Sequence, residues 1–464
     1  MAPGCKYRGK RGALAVLSAC LAALGLMPAA ALGRPGALDR SFGEGGRVVT
    51  MTALGGRSWL DADVHAAPGP KGTIVAAVGK TVFRYLPDGR LDPGFGDGGR
   101  LTIEDPRGLP FSLHDLAVDD QGRIVLAGAV EMPGEILVSY IGPFIHGPLA
   151  AVIRYSPDGE LDPSFGEGAG YVITELDQPP LNSYYDKAAT SAEQVIVGSE
   201  GKVTLIGGVG RYTTGIRSEF RMSPRLIVRL TPDGRLDPSF GGDGVISETG
   251  LDALSAVVPY GGKLLAGGRS ASRPKVPWRE ALTRLTRDGS IDNSFGHDGC
   301  FPLFAPPLNG VAVDRFRRIV AVGSRRVLRL TPRGTRDRRF GRRGGTTVWL
   351  PGKSDLSEVS IERSSGRILL AGTQAIAKRQ PETPIRERRY RRSFTVIGLN
   401  THGRPDRRFG RRGWVATRFG KRSSALADDA FIDSSGRLVV TGTVARPDLA
   451  PTGGIALARY RLGR

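Results

Sequence analysis

Five histidines are scattered through the 464 residues, and three of them are candidates for a shared site. His65 and His114 belong to short runs in which apolar and polar residues alternate, while His146 lies in a longer variable segment. Asp115, Tyr184, Tyr185 and Asp186 complete the set of chemistry-bearing residues nearby. Imidazoles beside carboxylates can move protons, and tyrosines beside them suit a small polar ligand or a sugar. Sequence spacing alone does not gather these residues, so the simpler expectation is exposed loop positions without a common site. The chain contains no HExxH and no GxSxG motif. Gly352-Lys353-Ser354 has Thr347 where a phosphate-binding loop needs glycine. No catalytic residue is therefore assigned, and no cofactor is expected.

A second set of residues recurs. Asp39, Asp92, Asp162, Asp237, Asp292, Asp337 and Asp406 each stand three positions before the phenylalanine of a Phe-Gly pair. Asp233, Asp237 and Asp243 crowd one such loop, which raises the question of calcium. The EF-hand spacing is not met, and the neighbouring acids become Arg333, Arg342 and Arg343 in a later copy of the same loop. A ligand set that turns cationic while its loop persists is no metal site. The aspartates are expected to cap backbone N–H groups, and no metal is assigned. Arg84, Arg154, Arg229, Arg284, Arg329 and Arg459 recur at one strand position, where Gly398 stands once instead. Their natural role is to bridge carboxylates or carbonyls between neighbouring repeats.

The repeat that positions these residues is written seven times: LDRSFGEGG, LDPGFGDGG, LDPSFGEGA, LDPSFGGDG, IDNSFGHDG, RDRRFGRRG and PDRRFGRRG. The phenylalanines fall at 42, 95, 165, 240, 295, 340 and 409, about 61 residues apart. A β-rich run ending in glycine, such as RIVLAG or RLVVTG, also recurs seven times, and P-D-G precedes most of the Phe-Gly loops. Residues 113–174 read as strands at Leu113–Asp119, Arg123–Ala129, Ala150–Tyr155 and Gly170–Thr174, joined by turns rich in Asp, Pro and Gly. Four short strands per repeat point to an all-β, seven-bladed β-propeller of four-stranded blades. A solenoid would need capping repeats, and none is evident. The last repeat supplies strands at Ala427–Asp433, Arg437–Gly442 and Ile455–Arg461 and then stops. The missing loop and strand stand at 38–51, so the N-terminal strand is expected to complete the C-terminal blade and close the ring.

With D-x-S-F-G-x-G-G loops, preceding P-D-G turns and G-R-I-V-x-A-G strands, residues 37–464 resemble the delta-60 repeat family of exported bacterial β-propellers. The resemblance implies the propeller fold and export, and no particular activity. The chain departs from the pattern in two repeats, where P-D-G becomes P-R-G at 332–334 and T-H-G at 401–403, and S-F-G becomes R-F-G.

The alternation of strands sorts the loops onto two faces. Every constant motif belongs to one face, and the long variable segments at 130–148, 175–190, 209–224, 269–280, 374–393 and 443–454 belong to the other, where binding is expected. The net charge of +21 is uneven: residues 311–464 hold 35 Lys and Arg against 12 Asp and Glu. Arg338, Arg339, Arg342 and Arg343 flank one Phe-Gly pair, Arg407, Arg408, Arg411 and Arg412 the next, and Arg388, Arg389, Arg391 and Arg392 lie between. On adjacent blades these should form one cationic side that attracts a polyanion. Drift toward arginine on solvated loops is the plainer alternative.

Lys6 to Arg11 followed by the apolar run Ala13 to Met27 and small residues at 29–31 reads as a signal peptide over 1–33. The propeller would then occupy 34–464. Leu17-Ser18-Ala19-Cys20 offers a lipoprotein alternative, although apolar sequence continues past Cys20. After cleavage Cys300 remains, expected as a small apolar residue without a disulfide partner. The sequence thus reads as a secreted or cell-surface monomer with no further membrane-spanning segment. Its leading function is non-catalytic binding of a surface protein or an anionic envelope polymer rather than nucleic acid. A sugar-directed lyase or hydrolase on the variable face and a purely structural surface protein are the alternatives.

Overall fold

The structure, a computed structural model, describes residues 34–463 apart from breaks at 53–58, 61, 105–106, 132–136, 140–141, 145–147, 175–185, 199, 214–219, 271–278, 304–307, 350–352, 378–389, 422 and 446–452. The signal segment, Cys20, His146, Tyr184, Tyr185, Arg388 and Arg389 lie outside the described residues.

Seven four-stranded antiparallel sheets form the blades of a propeller. The inner strands, which wall the central channel, are His65–Pro68, Phe111–Val118, Asp186–Val197, Ala253–Tyr260, Leu308–Val313, Lys353–Ile361 and Ser424–Ile432. They define blades 1 to 7 in that order. The seventh sheet takes its outermost strand from the N-terminal Arg47–Thr52, which pairs antiparallel with Gly453–Tyr460 in the register Arg47↔Ala458 to Thr52↔Gly453. Ring closure by the first strand is therefore as the repeat phase implied. Strand ends agree with the sequence reading to within a few residues, except on the variable face. There Val203–Thr213 and Phe220–Leu230 continue pairing through much of the expected 209–224 loop, with Tyr212↔Phe220 near its tip.

The apolar core is distributed among the seams between blades. Each Phe-Gly loop inserts its phenylalanine into a seam, and Phe42, Phe95, Phe165, Phe240, Phe295, Phe340 and Phe409 are all fully buried. Burial of each such ring contributes about 2 kcal/mol. Two sets of polar bonds reinforce the seams. The loop glycine N–H donates to the turn carbonyl of the next blade at all seven seams: Gly43 to Asp88, Gly96 to Asp158, Gly166 to Asp233, Gly241 to Asp288, Gly296 to Arg333, Gly341 to His402 and Gly410 to Pro35, at 2.7–3.1 Å. Pro35 shows that the N-terminal segment supplies blade 7 with its turn as well as its strand.

The recurrent arginine lies against the buried ring and spans the seam. Arg154 Nε is 2.7 Å from Asp162 Oδ2, its Nη1 donates to Pro232 O at 2.6 Å, and its guanidinium sits 4.4 Å from the Phe165 centroid. In blade 6, where Gly398 replaces the arginine, Arg367, immediately before the neighbouring strand Ile368–Ala377, takes over and donates to Asp406 Oδ2 at 2.8 Å and Leu462 O at 2.6 Å. The loop aspartates cap as expected, accepting the N–H two residues on from Ser41, Gly94, Ser164, Ser239, Ser294, Arg339 and Arg408.

Candidate functional site

Six of the seven inner strands carry a β-bulge at one repeat position, between Leu113 and Asp115, Ala192 and Gln194, Leu254 and Ala256, Leu308 and Gly310, Leu356 and Glu358, and Ala427 and Asp429. A bulge re-aims side chains. Here it places the pairs His114-Asp115, Glu193-Gln194, Ser357-Glu358 and Asp428-Asp429 at the same level of the channel wall, with His65 at that level in blade 1.

Most of these groups latch one blade to the next. Asp429 Oδ2 accepts from Ala66 N at 3.1 Å, Asp428 Oδ2 from Val64 N at 3.1 Å, and Asp115 Oδ2 from Val195 N at 2.9 Å. Gln194 accepts from Val257 N at 3.1 Å and donates to its carbonyl at 3.3 Å, and Asn309 Nδ2 donates to Leu356 O at 2.6 Å. Between blades 1 and 2 the latch is open: His65 Nδ1 stands 3.8 Å from Asp115 Oδ1, too far for a hydrogen bond. A cavity of about 240 Å³ opens at this seam, lined by Asp63, His65, Lys80, Ser112, His114 and Glu193 among others. His114 Nδ1 lies 3.6 Å from Glu193 Oε2, and Glu193 Oε1 accepts from the Ser191 hydroxyl.

Enclosure by the channel wall disfavours charge on these groups, even though the side chains of His65 and Asp115 are still 23% exposed to the channel. It lowers the His65 pKa to about 4, with His114 adding to the effect. Enclosure and the Asp429 charge raise Asp115 to about 7, and enclosure raises Asp429 to about 6. Glu358 rises to about 8 through enclosure and the charges of Asp429 and Asp115, and Asp428 to about 8 through enclosure and Asp63. Near neutral pH the mouth thus combines a neutral imidazole with carboxyl groups able to hold or release protons.

Of the residues singled out in the sequence, His114 and Asp115 join His65 at the channel. Asp186 begins the inner strand of blade 3, opposite Thr213. Asp63, Lys80, Glu193, Glu358, Asp428 and Asp429 were not singled out. For Glu193, Glu358, Asp428 and Asp429 a signal was available: a polar pair interrupts an apolar inner strand at the same offset in successive repeats; Asp63 and Lys80 lie outside the inner strands and carry no such signal. Cys300 is half-buried beside Thr283, and burial raises its thiol pKa.

The arginines divide between the two faces. Arg338, Arg339, Arg342 and Arg343 and Arg407, Arg408, Arg411 and Arg412 are exposed on the Phe-Gly loops of the adjacent blades 5 and 6; the blade 5 loop bonds through Gly341 N to His402 O in the turn that precedes the blade 6 loop. Among the described residues none of the eight has a carboxylate partner. Arg391 and Arg392 instead start a strand on the variable face, half-buried, with Arg392 5.8 Å from the Trp59 ring. The expected single cationic side is corrected accordingly. Arg391 and Arg392 lie at the beginning of the strand Tyr390–Leu399 and the Phe-Gly arginines follow its end, so strand direction sends them to opposite faces.

The sequence family described as "domain of unknown function (DUF5122) beta-propeller" matches residues 147–165, 225–240 and 262–295. No curated protein matches the chain. Among solved structures, it is similar to a gluconolactonase from Xanthomonas campestris at 18% identity and a TM-score of 0.33, covering 73% of this chain and 93% of that one. It is also similar to a protein of unknown function from Bacteroides caccae at 7% identity and a TM-score of 0.27, covering 82% of each. Among the described residues no helix is long and apolar enough to cross a membrane.

Proposed function

We propose that this seven-bladed propeller, a delta-60 repeat protein exported by its N-terminal signal, is a non-catalytic scaffold that binds an anionic envelope polymer. The polymer lies on the constant-motif face of blades 5 and 6. One observation carries the reading: eight exposed arginines occupy the Phe-Gly loops of two adjacent blades without carboxylate partners among the described residues. Such a surface holds a strong positive potential and recognises phosphate groups. Binding of the protein to a teichoic-acid-like polymer should weaken by about tenfold or more between roughly 50 and 300 mM salt, as screening predicts. The quadruple variant R338A/R339A/R407A/R408A should lose most of the low-salt affinity. Binding that ignores both salt and these arginines sinks the proposal.

A second reading, a sugar-directed lyase or hydrolase, draws support from the convergence of His65, His114, Asp115 and Glu193 at the channel mouth. It predicts turnover of an oligosaccharide that disappears in both H114A and E193Q. A panel of neutral and uronate-containing oligosaccharides followed by mass spectrometry tests it. A protein with neither activity nor ligand would serve as a structural surface element.

A further inference from the structure

The turn after the inner strand of blade 5 reads Asp314-Arg315-Phe316-Arg317-Arg318, and its tip carries an aromatic where blade 2 has Gln121 and blade 7 has Ser435. Phe316 is 57% exposed, unusual for a phenylalanine in this molecule. The guanidinium groups of Arg315 and Arg318 stand 4.8 and 5.0 Å from its ring centroid. Beside it, between the turns of blades 5 and 6, a cavity of about 270 Å³ is lined by Arg315, Phe316 and Arg318 on one side and Glu362 and Arg363 on the other.

The charges in this cavity are not equivalent. Asp314 is committed to Arg318 Nε at 2.6 Å and to the backbone N–H of Phe316 at 2.9 Å. Glu362 is committed to Arg367 Nη1 at 2.7 Å and to the Ser364 and Ser365 hydroxyls. Arg315 and Arg363 are exposed and have no carboxylate partner among the described residues. Two guanidinium groups from adjacent blades, neither neutralised by a carboxylate among the described residues, thus line one cavity that also presents an aromatic surface. Guanidinium forks match phosphate oxygens, and contact with an aromatic ring favours a cyclic, partly apolar group beside the anion.

We propose that this cavity is a recognition site for a sugar phosphate: Arg315 and Arg363 hold the phosphate and Phe316 packs against the sugar ring. The site rests on the anionic-polymer reading and names its repeating unit as a phosphate attached to a sugar. It lies on the same face as the arginine loops, so one chain can engage both.

The test uses the full-length protein with monomeric probes, which do not need the arginine loops. Titration calorimetry with glucose 1-phosphate should show binding that weakens at least about tenfold in R315A/R363A and at least about fivefold in F316A. Phe316→Tyr, which keeps the ring, should retain it. Glycerol 3-phosphate, which lacks the ring, should bind more weakly and lose less than about twofold in F316A, and glucuronate should bind more weakly than glucose 1-phosphate. The R338A/R339A/R407A/R408A variant should bind the monomers as the parent does, with unchanged circular dichroism in every variant. Absence of glucose 1-phosphate binding, or equal binding by R315A/R363A, overturns the site while leaving polymer binding by the loops intact. Tighter binding of oligo-dT than of glucose 1-phosphate polymer also overturns it, because the ring recognised would then be a base. Loss of polymer binding in the loop variant alone would fix the two surfaces as separate.

Discussion

Arg317 adopts φ +59 at a turn position where Gly122 and Gly436 hold φ +86 and +73 in blades 2 and 7. A side chain in this left-handed conformation costs about 1 kcal/mol or more, since its Cβ crowds the following carbonyl. Arg317→Gly should therefore stabilise the protein by about 1 kcal/mol, read as a raised midpoint in urea unfolding. Arg343 and Arg412, at φ +54 and +58, repeat the pattern in the Phe-Gly loops of blades 5 and 6. The loop aspartates and seam arginines were legible in the sequence because their bonds are local or repeat at a fixed offset. Asp162 caps a residue two positions away, and Arg154 meets it eight positions along the chain. Phe316 was not legible as special, because its significance comes from Arg363, 47 residues later and on another blade.

At the scale of elements, blade 6 shows how a strand absorbs a lost arginine. Gly398 leaves room for the Phe409 ring, and an added Cβ there would lie 2.7 Å from its Cγ and 2.9 Å from its Cβ. Gly398→Ala should destabilise the protein by about 1–3 kcal/mol through overpacking, measurable by thermal or denaturant unfolding. Restoring the repeat consensus with arginine at 398 should be worse, because Arg367 already occupies the bridging role. The inner strands carry the other element-level lesson. Their alternation was readable as strand, but the bulge at Asp115, Glu358 and Asp429 was not. A bulge changes the facing of side chains without changing which residues are apolar.

The channel carboxyls act on the whole ring. Asp115, Glu358 and Asp428 have pKa values of about 7, 8 and 8, against ordinary values near 4 in the unfolded chain. The folded ring therefore binds more protons than the unfolded chain through this range. The stability it gains is fully present below about pH 4 and is lost as pH rises through the folded values. His65, depressed to about 4, works in the opposite direction, but only below its ordinary value of 6.5. Between about pH 6.5 and 8.5 His65 no longer offsets the carboxyls, so the melting temperature should fall across that window. Glu358→Gln should flatten the dependence, and a melting temperature independent of pH there would refute it.

Composition and repeat phase determined the number of blades, the turn chemistry and the closure of the ring by residues 47–52, because each depends on local patterning repeated in one order. Tertiary structure alone decided which polar groups meet in the channel. His65, Asp115, Glu193, Glu358 and Asp429 come from five blades, and only the closed ring and its bulges bring them to one level. It also decided which exposed arginines stand without a carboxylate partner among the described residues, because pairing depends on groups that other parts of the chain bring near. Strand alternation in the sequence already implied that the Phe-Gly loops and the 374–393 segment lie on opposite faces.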